Sequence, residues 1–333
     1  MGDKTGIEWT DATWNPVTGC TKVSSGCDNC YAETIATRFK GTKAYPDGFK
    51  VTLRPERLDQ PLRWKRPRRI FVNSMSDLFH QDVPDEYIAR VWAVMALAPQ
   101  HTFQVLTKRH GRMRSLLNNG DFYRSVREIM HRDHGVSELD AFGTYMFPLL
   151  NVWLGVSVED QRTADLRIPA LLDTPAEVRW LSCEPLLGPV DLSDHIDRWC
   201  EDDCGTCDWG HCNQAAVAVR RDYTHDDPNY VSMLSVCAAH RGIDWVVVGG
   251  ESGPRARPMH PDWARSLRDQ CAAAGVPLVF KQWGEWAPDV SSRPQARRLV
   301  QVDGTWMGRY GKKAAGRELD GATHDGYPEA GGE

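Results

Sequence analysis

"DWVVVGGESG", residues 244–253, holds four consecutive apolar residues, then two glycines and a glutamate. An unbroken apolar run of this length suits a parallel strand buried on both faces, and an alternating one would suit a strand with a wet face. Such a strand ending in a charged residue predicts a sheet whose carboxyl edge carries chemistry. The pattern recurs in "RIFVNSM" (69–75), "TFQVLT" (102–107), "NVWLGVSV" (151–158), "VRWLSC" (178–183) and "PLVFKQW" (277–283), with a short strand before Cys20. Helical periodicity fills the gaps, as in "DEYIARVWAVMALA" and "HPDWARSLRDQCAAAG". Strand alternating with helix predicts βαβ units and a full or partial β/α, TIM-like barrel, with an open doubly wound sheet as the alternative.

The residues just beyond each strand favour the barrel. The runs end in "NSMSDLF", "TKRH", "SVED", "SCEPL", "GGESG" and "KQWGEW", which supply Asn73, Lys108, Glu159, Glu184, Glu251 and Lys281. In β/α barrels the carboxyl strand ends build the site; solvated loops and helix caps are the plainer explanation for any one residue. The barrel is expected to occupy 1–113, 149–195 and 244–287, interrupted by a helical insertion at 114–148 and a Cys/His-rich insertion at 196–243, with a C-terminal extension at 288–333.

The chain has 333 residues, 41% hydrophobic and 26% charged, and a formal net charge of -5. The charge excludes a chain that binds nucleic acid through its overall field but leaves room for a local basic patch. The N-terminus lacks the apolar stretch of a signal peptide, and no apolar run approaches the roughly 20 residues of a membrane span. A cytoplasmic protein without membrane contact is expected. Ten cysteines in such a compartment point to metal sites more than to disulfides.

"GCTKVSSGCDNCYAE" (19–33) sets Cys20, Cys27 and Cys30 in a Cys-x6-Cys-x2-Cys pattern, and no other cysteine follows until Cys183. A structural zinc site closes with four ligands. Three thiolates suit a 4Fe-4S cluster whose fourth iron is left for a ligand, since cluster irons are normally held by Cys thiolates. This resembles the radical S-adenosylmethionine (SAM) enzymes, whose usual spacing is Cys-x3-Cys-x2-Cys; here the last gap matches and the first is longer. A zinc site completed by a distant His is the alternative. Trp9 and Trp14 flank this loop and are placed to shield it from water.

"IEWTDATWNPVTGCTKVSSGCDNCYAE", "LSCEPLLGPV", "IDWVVVGGESGPRARPMHPDW", "FKQWGEW" and "GKKAAGRELDG" together resemble the signature blocks of the phage and prophage three-Cys-motif family, which is radical-SAM-like. The resemblance implies a barrel and a cluster, and it names no substrate. Gly249, Gly250 and Glu251 resemble the superfamily motif that binds the SAM amino group, although here it follows a late strand. The chemistry of these residues suits SAM. Glycines admit close backbone approach, Glu251 pairs with an ammonium, and Lys108 and Lys281 pair with a carboxylate. Asn73, Glu159 and Glu184 complete the expected cofactor-binding set.

"WCEDDCGTCDWGHCNQ" and "VCAAH" contain Cys204-x2-Cys207 and Cys237-x2-His240, two knuckles 29 residues apart that suit a tetrahedral zinc site. Cys200 and Cys212 are alternative ligands, and a second iron–sulfur cluster is the other reading. "RWKRPRRIF" interleaves Arg63, Lys65, Arg66, Arg68 and Arg69 with Trp64, a pattern that suits a phosphate backbone and a stacked base or a solvated charged face. Cys183, at a strand end, is a candidate hydrogen-atom donor if it faces the lumen and an inert thiol if it faces the core. The functional expectation is a radical SAM-type enzyme that modifies or repairs a nucleic acid or nucleotide and takes electrons from a donor. The alternative is a metal-stabilised nucleic-acid-binding or interaction protein without catalysis.

Overall fold

The computed structural model describes residues 5–143, 147–196, 242–290 and 295–328. Seven parallel strands form one sheet in simple sequence order: β1 (Ala12–Trp14), β2 (Arg69–Val72), β3 (Thr102–Thr107), β4 (Val152–Ser157), β5 (Val178–Cys183), β6 (Trp245–Gly249) and β7 (Leu278–Gln282). Strands that advance in one direction with helices between them make the expected β/α barrel, here a partial one. Each strand lies within the segment its sequence marked, because several of these runs are nearly continuous in apolar character and all are rich in β-branched or aromatic residues. The free edge of β7 is covered rather than left open: Gly326 donates to the Leu278 carbonyl and Phe280 to that of His324, each at 2.9 Å.

Side chains alternate across the sheet, and the two faces differ. One face packs Ile70, Val72, Phe103, Val105, Leu154, Val156, Leu181 and Val248 against helices Asp85–Ala96, Gln161–Leu172 and Pro261–Ala273. Helix Gly120–His134 joins the same core through Phe122, Val126, Ile129 and Met130. The opposite, concave face carries Phe71, Trp153, Trp180, Trp245, Val247 and Val279, with Trp9 and Tyr327 brought in by the two ends of the chain.

Between β1 and β2 the chain makes a long excursion. Its ends are clipped by an antiparallel pair in which Val17 faces Leu53 and Thr18 faces Thr52. The cysteine loop and helix Tyr31–Arg38 lie inside this clip, beyond the carboxyl end of β1. Beyond β7, strands Trp286–Pro288, Leu299–Val302 and Thr305–Arg309 form a small antiparallel sheet. Among the described residues no helix is long and apolar enough to cross a membrane.

Candidate active site

The strand register stacks the concave face in layers. At the amino end lie the indoles: Trp9 meets Phe71, Trp180 and Trp245 edge-on at centroid distances of 4.8, 5.2 and 5.8 Å, and Trp153 meets Trp245 at 5.8 Å. Edge-to-face packing is the preferred aromatic geometry, and it fills this end of the half-barrel. Above the indoles come Ser157 and Ser182, in register with Val247 and Val279. Above these come Lys108, Glu159 and Glu184, just past the ends of their strands, and Lys281, the penultimate residue of β7. The polar residues marked in the sequence thus sit at the carboxyl ends of successive strands.

These residues meet as ion pairs. Glu159, fully buried, pairs with Lys108 and with Arg167 Nη1 at 2.9 Å. Burial pushes its carboxyl upward, but the charges of Lys108 and Arg167 outweigh this and hold it below the usual carboxylate range. Glu184 pairs with Lys281 Nζ at 2.9 Å, and both side chains remain slightly exposed. Gly249 makes room for that pair, since a Cβ there would come within 2.5 Å of Glu184 Oε1. A Cβ on Gly250 would overlap the Trp283 carbonyl, where β6 shifts register against β7. The space beside both glycines is therefore filled by protein.

The thiol loop is fastened over these strand ends. Ser24 Oγ donates to Glu159 Oε1 at 2.9 Å, and a Cβ on Gly26 would overlap the same oxygen. Asn29 Nδ2 donates to Glu251 Oε2 at 3.0 Å. Arg257 donates to Glu251 Oε1 at 2.7 Å and to the Ser25 carbonyl at 2.8 Å, and it pairs with Asp28 at 3.3 Å. Burial raises the Glu251 carboxyl, but the hydrogen bonds from Arg257 and Asn29 bring it below its ordinary value. Arg109 donates to Thr21 Oγ1 at 2.9 Å and approaches Cys20 Sγ at 3.8 Å. Tyr31, next to Cys30, donates to the Ser74 carbonyl at 2.5 Å. Four strand ends thus hold one loop.

Cys20, Cys27 and Cys30 are free and partly exposed. Burial pushes the Cys20 thiol up to about 11, with Asp77 adding to the rise and Arg109 opposing it, and burial also raises Cys30. Any metal that enters must therefore displace protons. Among the described residues no three His, Cys, Asp or Glu side chains are gathered as a ready metal-holding group. The donor chemistry still fits a cluster with one open iron: three free thiols on one anchored loop, with strand-end charges beneath it.

Other residues marked in the sequence take different places. Glu251 does not face an open ligand site; its oxygens accept from Asn29 and Arg257, which makes it an anchor of the loop. Asn73 is buried at φ 60 and accepts from the Val17 amide at 3.3 Å, holding the turn after β2. Cys183 is 0% exposed and belongs to the helix-covered core, where burial raises its thiol well above the ordinary value and Cys271 lies near it. Its neighbours in the strand explain this: Trp180 takes the concave face, so Cys183, an odd number of residues away, takes the other. It is not placed to donate a hydrogen atom into the lumen.

The basic stretch 63–69 is also corrected. It precedes β2 and so lies at the amino end of the sheet, away from the thiols. Trp64 is only 9% exposed, packed on His101 and under Arg68, so its ring is not offered to a base. Arg69 is engaged with Asp11 at 3.2 Å and with the Tyr327 ring at 4.4 Å; Arg63, Lys65 and Arg66 are simply exposed. Trp9 plugs the lumen, and Trp14 packs near Phe103 while donating to the Arg57 carbonyl at 2.8 Å, so neither ring shields the thiols. Cys200, Cys204, Cys207, Cys212, Cys237 and His240 lie outside the described residues.

Sequence reading missed Ser24, Asn29, Arg109 and Arg257 as the residues that hold the loop. Arg109 and Arg257 lie within polar segments after β3 and β6, which was the available signal.

No curated protein matches the chain. Among solved structures, a spore photoproduct lyase variant is similar at 12% identity and a TM-score of 0.37, over 92% of this chain and 70% of that one. Spore photoproduct lyase complexed with dinucleoside spore photoproduct is similar at 10% identity and a TM-score of 0.34, over 88% and 66%. The family model described as "Protein of unknown function (DUF5131)" matches residues 4–328, nearly the whole length, and the chain belongs to that family.

Proposed function

We propose that the chain is a radical SAM-type iron–sulfur enzyme acting on a nucleic acid or nucleotide, with Cys20, Cys27 and Cys30 holding three irons of a 4Fe-4S cluster. One observation carries the reading: a loop with three free thiols is anchored by Glu159, Glu251, Arg109 and Arg257 over the carboxyl ends of a parallel half-barrel. When bound, the cluster supplies an electron to SAM. The chain's own residues do the rest. Glu159 and Glu251 fix the loop. The Glu184–Lys281 pair, whose two charges are slightly exposed at the strand ends, exchanges partners to receive the ammonium and carboxylate of SAM. Lys108, paired with Glu159, keeps that buried carboxylate neutralised. The indoles below exclude water from the foot of the lumen. The resemblance of the signature blocks to phage and prophage proteins supports a nucleic-acid substrate. Cys204, Cys207, Cys237 and His240, with Cys200 and Cys212 as alternatives, are proposed to hold zinc or a second iron–sulfur cluster in the 196–243 insertion.

Calorimetric titration of SAM into anaerobically reconstituted protein tests the cofactor reading. Glu184→Gln and Lys281→Met should each weaken binding by about 1–3 kcal/mol, the scale of a charge-assisted hydrogen bond. Unchanged affinity in both variants would remove the pair from the site. Failure of the unaltered protein to bind SAM would remove the cofactor.

A further inference from the structure

The helix that leaves the cysteine loop has its apolar face turned outward. Helix Tyr31–Arg38 buries only the small side chains Ala32 and Ala36. The stripe beside these alanines, about 100° round the helix, presents Tyr31 (53% exposed) and Ile35 (38%), continued by Phe39 (46%), spaced four apart. Val23, within the cysteine loop, is also exposed at 46%. Amphipathic surface helices normally do the reverse, and a contiguous exposed apolar patch marks a site of contact. At the end of the helix and in the segment that follows it, Arg38, Lys40, Lys43 and Lys50 are exposed. No ion pair engages these four among the described residues. Arg38 Cζ lies 5.7 Å from the centre of the Phe39 ring. Of the acids between 31 and 50, Glu33 is paired with Lys22 at 3.4 Å, which leaves Asp47.

We propose that this lobe binds single-stranded nucleic acid, with bases stacking on Tyr31 and Phe39 and phosphates meeting Arg38, Lys40, Lys43 and Lys50. Exposed rings interleaved with cations that make no ion pair among the described residues are the elements of a strand-tracking surface: the rings take bases of any sequence, and the cations take the backbone. The position fits. Tyr31 follows Cys30 directly, so a strand lying on the lobe runs to the rim of the thiol loop. The basic stretch 63–69 lies at the other end of the sheet with its indole buried, and it has neither the rings nor the position. The proposal deepens the functional reading by naming the polymer and its path, and it is measured without iron, so the two fail separately.

The test is fluorescence anisotropy of a labelled single-stranded oligonucleotide titrated with the iron-free full chain at several salt concentrations. The unaltered protein should bind, and Phe39→Ala should bind about tenfold more weakly. Joint replacement of Lys40, Lys43 and Lys50 by Gln should reduce the slope of log affinity against log salt by about 2. Joint replacement of Lys65 and Arg66 by Gln should change neither. All these positions are exposed, and unchanged thermal melting will show that the variants fold. The proposal is overturned if the unaltered chain does not bind, as expected were the lobe a dock for an acidic protein. It is also overturned if binding survives the lobe substitutions and is lost with those at 65 and 66.

Discussion

The two ends of the half-barrel lumen are built from opposite chemistry. At the amino end, Trp9, Phe71, Trp153, Trp180 and Trp245 pack ring against ring with Tyr327 from the chain's tail. At the carboxyl end, Lys108, Glu159, Glu184 and Lys281 are joined in charge pairs, with the thiol loop fastened above them. Burying rings releases water and stabilises the fold. Burying charges costs desolvation that pairing only partly returns. One end therefore supplies stability that the other consumes, and the costly end holds every free thiol of the loop. Substitutions should separate the two ends.

The largest effect is expected at the apolar end. Trp180→Ala removes a fully buried indole from the centre of the stack and should cost about 4 kcal/mol, read as a lower urea midpoint. Alkylation of Cys20, Cys27 and Cys30 in the folded variant should be unchanged. Loss of thiol protection together with stability would mean that the two ends are one cooperative site.

Glu159→Ala comes next, at about 3 kcal/mol, because Arg167 is left buried without its partner. The pH dependence follows from the lowered carboxyl of Glu159. Its folded pKa lies below its unfolded one, so its contribution is fully present above the unfolded value of about 4.3 and is lost as pH falls through the folded value. Urea unfolding between neutral pH and about pH 3 should show the unaltered protein losing more stability than the variant. Parallel curves would show that the fold does not lower the Glu159 carboxyl, and curves diverging the other way, with the unaltered protein gaining on the variant as pH falls, would show that it is held neutral.

Arg257→Ala should affect stability less, by about 1 kcal/mol, since Arg257 and Asp28 are partly exposed and the buried Glu251 keeps its bonds from Asn29 and from the backbone amide of residue 257. It should nevertheless free the segment Ser25–Asn29, so alkylation of Cys27, followed by peptide mapping, should be several-fold faster. An unchanged rate would mean that the loop is held without Arg257. Smallest of all, Lys65→Gln at the amino end should lie within about 0.5 kcal/mol of the unaltered protein in urea unfolding.

How much of this was legible depends on distance along the chain. The strands were readable because each is a local apolar run; 102–107 and 178–183 coincide with β3 and β5 to the residue. The strand-end polar residues were readable because they come directly after those runs. Cys183 was readable too, since the period of two places it opposite Trp180, but its strand-end position suggested the lumen. Trp64 looked available because its neighbours are charged, yet its ring turns inward onto His101 while Lys65 and Arg66 stay outside. The loop anchors could not be read locally: Asn29 and Glu251 are 222 residues apart, and Ser24 and Glu159 are 135 apart. Only the tertiary fold brings them together. The outward face of helix Tyr31–Arg38 was hidden because its four-residue spacing resembles an ordinary core stripe.

The account's central claim is that the carboxyl-end loop holds an iron–sulfur cluster, and iron content tests it most directly. Anaerobic reconstitution with iron and sulfide should give a brown protein absorbing at about 400 nm. Cys20→Ala, Cys27→Ala and Cys30→Ala should each carry about four fewer irons per chain than the unaltered protein while keeping its urea midpoint within about 1 kcal/mol. Equal iron in the unaltered protein and all three variants, or a colourless protein that takes only zinc, would contradict it.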